Sequence, residues 1–308
     1  KVAIVTTLYN SQKFIGEFID RSIATAEKIG IDWSFVVVDD GSSDDGVRIV
    51  QDRIENGLNA TLIKFSKNYG HHKAMMCGLS AVGDADYVFL IDSDLEEEPE
   101  CLEEFYNKIS KSDLQFVVGV QRTRNKNKVM GLIFWKVLNR FLGHNFSENT
   151  CTVRIMTGDF VKRLASFTQK DFILGDLTNY LGYKHSVIFV TKTYKGYSAY
   201  SLRKKLKMFF DLFFAAGASG TVFTELSVVS FLISVLIFVG ILLMLIAYWV
   251  SGRFLAGWLS TTLLMSFYSA LNFLFFSVIL KHVSKILVEV ENKPRYNVEY
   301  ILRPNADK

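Results

Sequence analysis

The first hundred residues repeat one pattern: a short apolar run, an abrupt polar or acidic stop, then a segment with helical spacing. "VAIVTTLYN" is followed by a stretch from Lys13 to Ile29 in which Phe14, Ile15, Phe18, Ile19, Ile23 and Ala26 recur at helical intervals. "WSFVVVDDGSSDD" leads to "VRIVQDRI", "ATLIKFSKNYG" leads to "HHKAMMCGLSAV", and "DYVFLIDSD" closes the series. Strands that are apolar throughout are buried on both faces, and strands alternating with helices make a mostly parallel sheet covered by those helices. The pattern therefore predicts an α/β fold. The opening "KVAIVTTLYN" reads as its first strand rather than as a cleavable signal segment. Further on, "LQFVVGVQRTRNKNK" predicts a strand with a basic loop and "VMGLIFWKVLNRFLG" an amphipathic helix. "DFVKRLASF" predicts a short helix and "SVIFVTKTY" another strand.

In such a sheet, ligands bind beyond the carboxyl ends of the strands. Three of the strands end there in Tyr9-Asn10, Asp39-Asp40 and Asp92-Ser93-Asp94. Carboxylates repel one another, so this gathering calls for a positive charge. Two acids separated by one residue share a face in an ideal strand. Hard oxygen donors suit Mg²⁺ or Mn²⁺, and Mg²⁺ is commonly held by one or two carboxylates together with substrate phosphates. A cation there would neutralise a diphosphate leaving group. The phosphate-binding alternatives, a Walker A loop and G-x-G-x-x-G, do not occur in the sequence. The net charge of +4 is mild and no basic stripe carries interleaved aromatics, so nucleic acid is not expected as a partner. Cys77, Cys101 and Cys151 are scattered, without metal-ligand spacing, and fit a reduced compartment. The pair His71-His72 is expected to pack in a loop or line substrate rather than bind metal. Glu97 and Glu98 are expected to be solvated or to sit at a helix start, where negative charge is favoured.

Half of the chain is apolar and its mean hydropathy is +0.21, with the excess concentrated after residue 205. The runs 227–250 and 255–280 contain no charged residue. Each exceeds the roughly 20 residues that cross about 30 Å of hydrocarbon. "SLRKKLKMFFDLFFAAG" has a cationic start and an apolar face, as a helix lying in the bilayer interface would. Arg203, Lys204, Lys205 and Lys207 precede the first run, Lys281 and Lys285 follow the second, and the short connection holds only Arg253. Lys and Arg mark the cytoplasmic side, so the catalytic domain and both termini are expected in the cytoplasm, at the inner membrane if the source is bacterial. The expected organisation is a catalytic domain over 1–200 and an interface helix over 201–220. Two transmembrane helices follow within 225–281, and then a tail over 282–308 in which "KILVEVENKPRYNVEYIL" forms a small hairpin.

At this point the residues resemble a known family. "VVVDDGSSDD" and "FLIDSDLEEEP" resemble the paired motifs of family 2 glycosyltransferases with a GT-A fold, and "SKNYGHHKAM" resembles the segment between them. The closer resemblance is to the polyprenyl-phosphate glycosyltransferases, the group that includes dolichyl-phosphate mannose synthase and bacterial undecaprenyl-phosphate sugar transferases. Their pattern D-x-D-L-Q-x-x-P is matched by Asp92, Asp94, Leu95 and Pro99. "YKGYSAYSLRKKL" resembles the segment before their membrane helices, and "VEVENKPRY" resembles the tail of members with two spans.

The resemblance implies transfer of a sugar, with inversion, from a nucleotide-diphosphate sugar to a polyprenyl phosphate, undecaprenyl or dolichyl. It implies Tyr9, Asp39, Asp40 and Asp92 at the nucleotide, and Asp92, Asp94 and Glu96 at the metal. Glu96 stands where the family has Gln, adding negative charge near the cation. Arg122 joins Asp92 and Asp94 as a catalytic candidate. Arg124, Lys136, Arg140 and Lys195 are candidates for holding the lipid phosphate, Lys136 and Arg140 being i, i+4 on one helix face. A homo-oligomer, up to a tetramer, is also expected. Two alternatives stay open: another membrane-anchored family 2 enzyme such as a polysaccharide synthase, although no Q-x-x-R-W motif occurs, or an inactive membrane scaffold.

Overall fold

In a computed structural model, the described residues are 1–121, 150–170, 172, 174–191 and 293–304, with scattered positions between 239 and 291. They fall into two compact units, Lys1–Asn139 with His144–Lys205 and Pro294–Lys308, and Arg140–Gly143 with Leu206–Lys293.

The first unit alternates as the sequence predicts. Strand β1 (Val2–Leu8) leads to helix α1 (Gln12–Lys28), β2 (Trp33–Asp39) to α2 (Gly46–Glu55), and β3 (Ala60–Phe65) to α3 (His71–Ser80). Then come β4 (Tyr87–Leu90), α4 (Cys101–Ser110), β5 (Phe116–Gln121), β6 (Thr150–Thr157), α5 (Gly158–Ala165), α6 (Leu174–Tyr180), β7 (His185–Val190) and β8 (Val298–Leu302). The strands form one sheet in the order β7-β5-β6-β4-β1-β2-β3-β8. β1 runs parallel to β2 and β4, and β2 parallel to β3. β6 is antiparallel to both β4 and β5, and β8 is antiparallel to β3.

The period of two along a strand sorts the core into two layers. Val2 and Ile4 face Ile15, Phe18 and Ile19 of α1, Val50 and Ile54 of α2, and Phe105 of α4. Ala3 and Val5 face Ala74, Met75 and Met76 of α3 and Phe160 and Leu164 of α5. Helix α3 lies close to the sheet because Gly78 has no side chain: a Cβ there would stand 2.5 Å from Val5 Cγ1. Helix α5 is capped by Thr157, whose hydroxyl accepts from the Phe160 amide at 3.3 Å.

Two features differ from the sequence expectation. Residues 150–157 form β6, an antiparallel strand inserted between β4 and β5, which the sequence reading passes over because Thr and Arg break its apolar run. The tail is not a hairpin: described positions 286, 287, 289 and 290 are helical, and Val298–Leu302 pairs with β3. The unpaired edge of β3 offers backbone groups that a nearby extended segment can satisfy, and covering it removes an aggregation-prone edge. Tyr296 stacks on Phe65 with ring centroids 4.7 Å apart, Lys64 pairs with Glu299 at 3.1 Å, and Gln51 Nε2 donates to the Tyr300 hydroxyl at 2.9 Å.

The amphipathic helix expected within 129–143, the interface helix over 201–220 and most of the two apolar runs lie outside the described residues. Among the described residues, no helix is long and apolar enough to cross a membrane. In the second unit Val239, Leu243, Ile246 and Val250 are helical and exposed.

Candidate active site

The carboxyl ends of β2, β1 and β4 lie side by side, with Leu8 in register with Asp39 and Val5 with Leu90. Hydrogen bonds stitch the loops that follow into one rim. Asn10 adopts a left-handed backbone (φ 52°), as Asn does more readily than most residues. Its amide donates to Ser42 Oγ at 3.1 Å, and its Oδ1 accepts from the Ser43 amide at 2.9 Å. The Gln12 amide donates to Asp44 Oδ2 at 2.8 Å. Tyr9, at the lip, is 52% exposed.

Asp39 is fully buried and its carboxylate accepts from the Ser42 amide at 3.1 and 3.3 Å. Burial raises its pKa above the ordinary carboxylate value, against the lowering effect of Ser42 and Gly41. Asp40, also buried, reaches the next loop instead: its Oδ1 accepts from the Tyr69 amide at 2.7 Å and its Oδ2 from the Gly70 amide at 3.0 Å. Burial raises its pKa too, against those amides. Gly41 makes this bend possible. Its φ is +74°, and a Cβ would meet the Asn68 amide nitrogen at 2.5 Å.

The loop that Asp40 holds opens α3 at His71. His71 Nδ1 lies 3.1 Å from Thr7 Oγ1, and its Nε2 lies 3.3 Å from Asp92 Oδ1. If the Thr7 hydroxyl donates to Nδ1, the proton sits on Nε2 and points at Asp92. Ser93 is buried and its hydroxyl donates to the Thr7 carbonyl at 2.7 Å. Asp94 Oδ1 accepts from the Glu96 amide at 2.9 Å, closing a turn in which Leu95 takes φ 56°. A positive φ is uncommon for a non-glycine residue and tends to occur at functional sites. Asp92, Asp94 and Glu96 are all half-buried.

The sheet thus brings Tyr9, Asp39, Asp40, Asp92, Asp94 and Glu96 to one edge. Arg122, Arg124, Lys136, Arg140 and Lys195 lie outside the described residues. Glu97 departs from expectation: it is fully buried, whereas Glu98 is exposed. His71 is a member of the rim, and His72 is half-buried beside it. Burial, with the charges of His71 and Arg154, pushes the His72 pKa down to about 4, so it is neutral at ordinary pH. Arg154, on β6, was not a sequence candidate. It is 6% exposed, and its sign in the sequence was a lone cation inside an otherwise apolar "TVRIM".

Among the described residues, no three His, Cys, Asp or Glu side chains are grouped to hold a metal ion by themselves. The donor set nevertheless fits Mg²⁺ or Mn²⁺. Asp92 and Asp94 offer hard oxygens at a strand end, and such ions commonly complete their shell with phosphate and water.

A mixed α/β sheet of this topology, with acids on the carboxyl rim of its parallel strands, defines a GT-A-like fold. The chain belongs to glycosyl transferase family 2, which it matches over residues 3–165. A Mycobacterium tuberculosis (strain CDC 1551 / Oshkosh) protein that carries a provisional glycosyltransferase name is 35% identical over 214 residues, 68% of this chain. This chain spans 62% of that relative's length. In fold, it is similar to glucosyl-3-phosphoglycerate synthase of M. tuberculosis, with a TM-score of 0.51 at 16% identity, covering 71% of this chain and 80% of that one. The same enzyme in complex with uridine-diphosphate gives a TM-score of 0.50 at 15% identity, covering 71% and 79%.

Proposed function

We propose that the chain is a membrane-bound, inverting glycosyltransferase that moves a sugar from a nucleotide-diphosphate sugar to a polyprenyl phosphate, undecaprenyl or dolichyl. The observation that carries this reading is the presence, in one chain, of an acidic rim on a family 2 fold and two uncharged runs, 227–250 and 255–280. The positions Val239, Leu243, Ile246 and Val250 add support. They are apolar, helical and exposed, at intervals that place them on one helix face, and such a face suits lipid better than water.

In this reading Tyr9, Asp39 and Asp40 serve the nucleoside. Tyr9 is exposed for contact, while the two buried acids fix the loops around Ser42 and Tyr69. Asp92, Asp94 and Glu96 would hold Mg²⁺ or Mn²⁺. Such an ion, when bound, neutralises charge on the departing diphosphate. Arg122 stands with Asp92 and Asp94 in the catalytic set, and Arg124, Lys136, Arg140 and Lys195 hold the lipid phosphate. Arginine suits the task because its planar fork binds phosphate in bidentate fashion.

The acceptor oxygen is an anion at neutral pH and attacks the anomeric carbon without needing a general base. As the new carbon–oxygen bond forms, the bond to the diphosphate breaks and the nucleoside diphosphate leaves with the electron pair. One displacement inverts the anomeric centre. Placement and charge stabilisation then supply most of the rate enhancement. The catalytic domain and both termini face the cytoplasm, and the protein works as a homo-oligomer, up to a tetramer.

The test incubates full-length protein in detergent with polyprenyl phosphate, Mg²⁺ or Mn²⁺, and a panel of UDP- and GDP-sugars. One donor is expected to yield a glycolipid, with loss of at least about 100-fold in Asp94→Ala, the scale set by removing one transition-state stabilising group. Free sugar without glycolipid, or undiminished activity in Asp94→Ala, would overturn the reading.

A further inference from the structure

Beneath the acidic rim lies a charge that the proposed reaction does not use. Arg154 stands on β6 in register with Leu90 of β4. Opposed residues of an antiparallel pair point to the same face, and alternate residues along a strand share it. The Arg154 side chain therefore lies on the face of Leu90 that continues towards Asp92. The same layer holds Leu90 together with Ala74 and Met75 of α3. Its guanidinium is anchored by the chain itself, with Nε donating to the Thr152 carbonyl at 2.9 Å and Nη2 to the Cys151 carbonyl at 3.3 Å. Burial lowers its pKa to about 10, and the charge of Asp92 opposes that fall, so Arg154 is still a cation at neutral pH. The neighbouring His72 is neutral there and adds no charge. His71 Nε2 lies 3.3 Å from Asp92 Oδ1.

A buried arginine is costly unless its charge has a partner. Its hydrogen bonds go to main-chain carbonyls, and the carboxylate whose charge reaches it is Asp92, one of the two that the acidic rim offers to a divalent cation. Its backbone anchors keep it from swinging out to the solvent when a ligand arrives.

We propose that Arg154 is the built-in counter-charge of Asp92: it leaves the rim too nearly neutral to retain a divalent cation alone, so that cation and nucleotide diphosphate are taken up together. This rests on the metal-dependent transferase reading above. It goes further by assigning the coupling between the two ligands to one residue outside the motif. Arg154 cancels part of the carboxylate charge before any cation binds, and a diphosphate restores the missing negative charge. The same guanidinium favours the diphosphate itself. Its removal therefore moves the two ligands in opposite directions.

The experiment titrates Mn²⁺ into the full chain in detergent micelles, reading free Mn²⁺ by electron paramagnetic resonance, with no nucleotide and with UDP or GDP. In the unmodified protein, one of the nucleotides is expected to tighten Mn²⁺ binding about 10-fold or more, a coupling of about 1.4 kcal/mol. Arg154→Met is expected to bind Mn²⁺ alone about 10-fold more tightly than the unmodified protein. Its nucleotide affinity falls and the coupling shrinks. Arg154→Lys keeps the charge and the original behaviour. An arginine that only props up the fold predicts the reverse, weaker Mn²⁺ binding in Arg154→Met. Unchanged or weaker Mn²⁺ binding in that variant, with a cooperative unfolding transition intact, overturns the proposal. So does equal Mn²⁺ affinity with and without nucleotide in the unmodified protein, a result that needs no variant to fold. Mn²⁺ binding under none of these conditions overturns the metal-dependent reading itself, and is thereby distinguished from failure of the Arg154 assignment alone.

Discussion

Asp39 and Asp40 are adjacent in the chain and both buried, yet they do different work. Burial raises the Asp39 carboxyl above its ordinary value of 3.8. The folded chain therefore keeps that proton to higher pH than the unfolded chain does. Wherever the folded state binds more protons, stability falls as pH rises. The loss begins near the ordinary value, is complete once pH passes the folded value, and persists at neutral pH. Asp39→Asn should remove this slope and stabilise the protein at neutral pH, while weakening nucleotide binding. Urea unfolding midpoints between mildly acidic and neutral pH measure it; a slope as steep as that of the unmodified protein would contradict the assignment. Asp40 is raised in the same direction, but it differs in what it holds. Its two oxygens satisfy the Tyr69 and Gly70 amides, so Asp40→Ala leaves half-buried donors unpaired, at about 1 kcal/mol or more. It also loosens the loop that delivers His71 to Asp92, and a lowered thermal midpoint with weaker nucleotide binding is the expected result. The sequence placed both acids at a strand end, since an apolar run stopping at Asp-Asp is a local signal. It could not say which loop each would hold, because Ser42 is close in sequence while Tyr69 arrives only through packing of the β3–α3 connection. Arg154 was illegible for a related reason: its meaning depends on β6 lying beside β4, a pairing that spans the molecule.

At the scale of elements, the parallel strands β1 to β4 were legible because each is a short apolar run with a polar stop. The central strands are buried on both faces, and only such runs can occupy that position. β6 and β8 were not, since each is recruited by an edge or gap created elsewhere, and β8 alternates apolar with polar residues as a hairpin arm also would. Two substitutions test how these elements are held. Gly78→Ala drives a methyl against Val5 Cγ1 where α3 packs on the sheet, and overpacking of this kind costs about 1–3 kcal/mol. Because α3 begins with His71, the same variant should also weaken nucleotide binding, whereas a helix that relaxes without consequence would leave binding intact. Tyr296→Ala removes the ring stacked on Phe65 and frees β8 from the edge of β3. A loss on the order of 2–3 kcal/mol is expected in chemical denaturation, with more aggregation by light scattering as the β3 edge opens. An unchanged midpoint would show that β8 contributes little to holding that edge.

For the molecule as a whole, the chain leaves the first unit after Lys205 and returns to it at Pro294. What lies between is the part of the sequence that water tolerates least. Uncharged runs of this length are legible without a structure, because the absence of charge is a local property and each charged group at a bilayer centre costs about 2.5–3.5 kcal/mol on insertion scales. Under the proposed reading the flanking charges set direction: Arg203, Lys204, Lys205 and Lys207 before the first run, Lys281 and Lys285 after the second, against a lone Arg253 between them. If the runs form a hairpin across the bilayer, the full chain should stay in the membrane pellet through alkaline carbonate washing, which strips proteins held only by surface charge. The turn should also lie on the far side from the catalytic domain. A cysteine introduced there by Ser251→Cys is expected to react with a membrane-impermeant maleimide added to intact cells, whereas a cysteine at Ser112, in the loop after α4, should react only once the membrane is opened. Release of the chain by carbonate would remove the membrane anchor from the reading. Labelling of both positions from the same side would keep an anchor but reverse or abolish the crossing, and with it the reason for seating a family 2 transferase beside a lipid acceptor.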